Sequence, residues 1–184
     1  MTQTITGNGE SAPIKGSEFN FYVDTLTSNA GTESGSFLPR KFIGLSVGSE
    51  STVNVQATGA VQINSTSNGS LYAAEKSTAK INAGSITLSA NSANTSFATV
   101  VTATSDGNVE LQSDSDITIQ NHYQRGGTAI TVNAAGHVSM MAKNTISVLG
   151  SDSQAALKLN QTTAGTFDSP NGAITLTANN IDLH

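Results

Sequence analysis

The chain has 184 residues, with 13 acidic and 8 basic side chains, a formal net charge of -5 and no cysteine. Cations this few and this scattered exclude a surface that tracks a nucleic-acid backbone, and the lack of cysteine excludes disulfides, zinc–thiolate centres and cysteine nucleophiles. Only 11% of residues are charged and 5% aromatic, while Gly, Ser, Thr, Asn and Ala dominate. Those residues suit turns and half-exposed strands rather than helices, so the fold class expected is all-β.

The first fifty residues differ from the rest. They hold Pro13 and Pro39, the aromatic run Phe19, Phe21 and Tyr22, and the segment from Phe37 to Ile43. Residues 1–50 read as a small N-terminal head or docking segment, with Phe37, Leu38, Arg40 and Phe42 as its docking side chains. A small local core is the competing use of the same apolar residues. Met1 to Lys15 lack the basic region and apolar stretch of a secretory signal. No apolar run of about eighteen residues occurs, so stable membrane insertion is not expected.

From Ser51 onward the text repeats, and residues 51–184 read as a β-helical or fibre domain. Its unit is a pair of apolar residues two apart, the period of a strand with one buried face. Val53 and Val55 are followed by Val61 and Ile63, Leu71 and Ala73, Ala79 and Ile81, and Ile86 and Leu88. After a less regular stretch around Phe97, Val100 and Val101 come Val109 and Leu111, Ile117 and Ile119, Ile130 and Val132, Val138 and Met140, and Ile146 and Val148. Leu157 and Leu159, Ile174 and Leu176, and Ile181 and Leu183 close the series. Several steps are eight residues, among them Val53 to Val61 and Ile130 to Val138. A strand plus a tight turn fills such a step. One thin layer of such strands buries too little to stand alone, so they must stack as a solenoid or intertwine with other copies, an intertwined homotrimer being one such form.

The segments Gly107 to Ile119, Gly136 to Val148 and Gly172 to Leu183 resemble the octad-repeat β-helices of tailed-bacteriophage spikes and fibres and of related injection-apparatus spikes. The resemblance covers about half the chain. It implies a non-enzymatic structural component, in a virion or outside the cell, that docks by its head and projects a stiff shaft. Its partners would be further copies of itself and other virion or surface proteins. A secreted adhesin or matrix protein that polymerises into filaments is the alternative, and a carbohydrate-binding β-helix with a surface glycan as partner is a second.

Residues that could carry chemistry are few. No metal-binding histidine spacing, nucleophile elbow or phosphate-binding loop is present, so no catalytic residue and no resident cofactor are assigned. Asp114 and Asp116, with Glu110 nearby, are oxygen ligands of the kind calcium takes, yet they also suit a solvated face. His184 would gather three copies around one metal ion only on a three-fold axis. The stretch containing His122, Tyr123 and Arg125 has the composition of a small recognition loop.

Overall fold

The computed structural model describes residues 2–7, 16, 18–30, 43–66, 69–91, 99–122, 128–133, 135–150, 157–159 and 172–184. Among these there is no helix. A short strand β1 (Thr2–Gly7) is followed by β2 (Glu18–Val23), β3 (Thr25–Ala30) and β4 (Ile43–Val47). The next turn of the chain is β5 (Thr52–Ala57), β6 (Ala60–Ser65) and β7 (Gly69–Ala73). Then come β8 (Thr78–Ala83), β9 (Ser85–Ala90) and β10 (Val101–Ala103), followed by β11 (Asn108–Ser113), β12 (Ile117–Asn121) and β13 (Ile130–Val132). The last turns hold β14 (His137–Ala142), β15 (Thr145–Leu149), β16 (Leu157–Leu159), β17 (Ala173–Thr177) and β18 (Asn180–Leu183).

These strands make three parallel sheets. One has six strands in the order β2-β5-β8-β11-β14-β17, one seven in the order β1-β3-β6-β9-β12-β15-β18, and one five in the order β4-β7-β10-β13-β16. From β2 onward each strand passes to the next sheet, and three strands return the chain to the first, one layer further along. The protein is a three-sided β-solenoid. At about 4.8 Å between strands, the seven-stranded face is roughly 30 Å tall.

The alternating pattern sets the core because successive side chains on a strand point to opposite faces. Two inner rows on the six-stranded sheet are Phe19–Val53–Ala79–Val109–Val138–Ile174 and Phe21–Val55–Ile81–Leu111–Met140–Leu176. The seven-stranded sheet contributes Leu26–Val61–Ile86–Ile117–Ile146–Ile181, and the five-stranded sheet Leu45–Leu71–Val101–Ile130–Leu157. In the middle of the stack these side chains are closed off from solvent and join one core.

The eight-residue step belongs to two of the three corners. Between the five- and six-stranded sheets, four corners each use four residues, from Val47 to Thr52, Ala73 to Thr78, Ala103 to Asn108 and Val132 to His137. Each closes with a backbone hydrogen bond from its fourth residue to its first, such as Ser77 N to Ala74 O at 2.9 Å and Gly136 N to Asn133 O at 3.0 Å. The third residue of each, Glu50, Lys76, Asp106 and Ala135, lies at positive φ between 52° and 62°, as a turn of this kind requires. The corners from the six- to the seven-stranded sheet take one to three residues. A complete turn is therefore far longer than an octad: successive partners Phe19, Val53, Ala79, Val109, Val138 and Ile174 are 34, 26, 30, 29 and 36 residues apart.

One chain supplies all three sides of each of the five coils from β2 to β16, so these coils close without copies winding around each other. Nor do the described strands of the first fifty residues stand apart from the repeat. β2, β3 and β4 pair in parallel with β5, β6 and β7 and make the first coil of the same stack.

Candidate functional site

The outer surface is where function must be sought, since the interior is filled by side chains. Its polar residues stack in rows, one per coil. Asn54 Nδ2 donates to Asn20 Oδ1 at 2.8 Å, and Asn64 Nδ2 to Asn29 Oδ1 at 3.1 Å. Ser89 Oγ continues the second row by donating to Asn64 Oδ1 at 2.7 Å. Such ladders satisfy amides that would otherwise compete with the strand backbone.

The carboxylates singled out from the sequence each have a partner of their own. Glu110 Oε2 lies 3.2 Å from Lys80 Nζ, and Glu110 Oε1 accepts from Asn108 Nδ2 at 2.7 Å. Asp114 Oδ1 is 2.7 Å from Lys143 Nζ. Asp116 accepts the Thr145 backbone N–H at 3.1 Å through Oδ1 and the Ser115 hydroxyl at 2.9 Å through Oδ2, so it fastens one coil to the next at a corner. Among the described residues no three His, Cys, Asp or Glu side chains come together as a metal site would need.

His184 is held in the ladder: its N–H donates to Val148 O at 3.0 Å and its carbonyl accepts from Gly150 N at 2.7 Å. Its ring Nε2 sits 2.6 Å from Asp182 Oδ1. His122 follows β12, exposed, with Nε2 3.0 Å from Gln120 Oε1. Tyr123 and Arg125 of the expected recognition loop, and the docking residues Phe37, Leu38, Arg40 and Phe42, lie outside the described residues.

The long connections share one edge of the prism. Between the seven- and five-stranded sheets the chain spends 12 residues after β3, 3 after β6, 10 after β9, 8 after β12 and 7 after β15. The stretch with His122 is one of these. One further long connection, 13 residues from β16 to β17, leaves at the opposite edge of the five-stranded sheet.

Sequence reasoning overlooked the outward row Tyr22–Gln56–Asn82–Gln112–Met141 on the six-stranded sheet. Tyr22 is 75% exposed and Met141 53%. Beside Tyr22 lies a cleft of about 380 Å³ lined by Tyr22, Val23, Asp24, Gln56, Ala57 and Thr58. Thr58 Oγ1 donates to Asp24 Oδ1 across it at 3.4 Å. One position along the row, Asn82 Oδ1 is a buried acceptor with no hydrogen-bond partner. The signal was present in the outward positions of each strand, but attention to apolar pairs reads only the inward ones.

Comparison with family models, with curated proteins and with solved structures found no match to this chain.

Proposed function

We propose that this chain is a non-catalytic structural component of a virion or injection apparatus, like a phage tail spike or fibre. It docks through its first fifty residues and contributes a stiff β-solenoid shaft. What supports the reading is the unbroken register of the inner rows across coils whose lengths range from 26 to 36 residues. Close-packed rows continuous from coil to coil give resistance to bending.

The seven-stranded face rises roughly 30 Å, and self-association with further copies is part of the proposal. Light scattering on the purified chain, followed by electron microscopy of the same sample, tests it. A discrete rod-shaped homo-oligomer supports the reading. Open-ended filaments would replace it with a polymerising adhesin or matrix protein, and a monomer at all concentrations would remove the shaft role.

A further inference from the structure

The six-stranded sheet turns an unusual row outward. Tyr22, Gln56, Asn82 and Gln112 stand in register on four successive strands. They are one aromatic ring followed by three amides. Tyr22 presents most of its ring to solvent, although tyrosine is a residue whose apolar face is usually covered. The cleft of about 380 Å³ at its side brings the Gln56 amide, the Asp24 carboxylate and the Thr58 hydroxyl around that ring. Gln56 and Gln112 on the same row are exposed, so their amides are open to a ligand lying on this face.

The chemistry of the row defines its ligand. Side-chain amides both donate and accept, and so match hydroxyl groups, which do the same. The cation on this face, Lys80, sits in the adjacent outward row and is paired with Glu110, which disfavours phosphate or a nucleic-acid backbone. An exposed ring beside polar groups offers a platform for the C–H face of a sugar. Adjacent strands stand about 4.8 Å apart, close to the rise of one sugar unit in an extended polysaccharide. We propose that the row Tyr22–Gln56–Asn82–Gln112 binds an extended uncharged oligosaccharide lying along the stack, one sugar per coil. Tyr22 supports one ring, and the amides bond to hydroxyls of the sugars that follow. This role is independent of the shaft reading, since a monomer would present the same row.

The test is affinity electrophoresis of the full chain through native gels containing soluble β-1,4-, β-1,3- or α-1,6-linked glucan. At least one glucan is expected to retard the protein. Tyr22→Ala is expected to weaken that retardation about tenfold or more, and Gln56→Ala to weaken it too. Thr118→Ala, on the outer face of the seven-stranded sheet, is expected to behave as the parent. Both Tyr22 and Gln56 are exposed, so thermal melts of their variants should match the parent and separate lost binding from lost fold. Retardation by none of the glucans, or retardation unchanged in both Tyr22→Ala and Gln56→Ala, would overturn the proposal.

Discussion

Lys80 on β8 and Glu110 on β11 are direct register partners, with Nζ and Oε2 3.2 Å apart on the outer face of the six-stranded sheet. Their side chains are 44% and 39% exposed, so water screens the pair and ordering two long side chains offsets much of the attraction. Glu110→Gln is expected to cost less than about 1 kcal/mol. Urea unfolding of the two proteins at low and high salt would check this, and a loss of several kcal/mol would show that charge pairing, not the apolar rows, holds this face.

The inner rows are a different matter. Ile119 is fully buried between register partners Leu88 and Val148. Replacing it with alanine removes buried methyl groups and leaves a cavity that a close-packed stack cannot collapse. Ile119→Ala is expected to cost about 2–5 kcal/mol, read as a lower urea midpoint. An unchanged midpoint would mean that the coils are packed more loosely than described.

Gly107 ends the corner that begins at Thr104. A Cβ there would lie 2.5 Å from Ala73 O and 2.8 Å from both Ala74 O and Thr104 O. All three contacts are backbone atoms, which cannot swing aside. Gly107→Ala should therefore separate neighbouring coils at this corner, and we expect a loss of at least about 2 kcal/mol or insoluble expression. Normal yield with an unaltered thermal midpoint would contradict the close approach.

One corner position invites the opposite change. Ala135 has φ of 60°, in the left-handed region that disfavours any residue with a Cβ. Ala135→Gly relieves that strain, against a smaller entropic cost of glycine in the unfolded chain. A net gain of about 0.5–1 kcal/mol is expected, visible as a higher melting temperature. A lower one would indicate that the Ala135 methyl packs usefully.

The Asn64 side chain links three coils, donating to Asn29 and accepting from Ser89. Asn64→Ala breaks both bonds while leaving the strand intact. The expected cost is about 1 kcal/mol, measurable by the same urea titration, and a neutral result would show the ladder to be replaceable by water.

Val53, Val55, Ile117, Ile119 and the other paired residues were legible as inward-facing because a period of two reports which face a residue occupies. It does not report which strand lies beside which. Val53 meets Phe19 and Ala79 across many residues, and nothing local encodes that choice. The three-strand coil was therefore hidden, and the octad, which is the tight corners of that coil, looked like the repeat itself. Ser77 and Ser113 were likewise invisible as core. They are buried because small polar residues fit corners where their hydroxyls reach backbone carbonyls, as Ser77 Oγ does to Ala74 O at 2.6 Å. Tyr22 was read as part of an aromatic run in a head, whereas its parity turns it outward while Phe21, one residue earlier, packs against the core.

The third-neighbour pairing has a consequence for biosynthesis. From β5 onward, a strand needs only the coil made just before it to find its first hydrogen-bond partner, and it waits for nothing downstream. At about 5–20 residues per second a ribosome delivers one coil in a few seconds, far longer than the microseconds in which short segments search for contacts. Each finished layer can then template the next in the order of translation, with the apolar row of the newest strand covered before the following one emerges. In the first coil β2 and β4 have no earlier strand to copy, so nucleation is expected to fall on β2, β3 and β4.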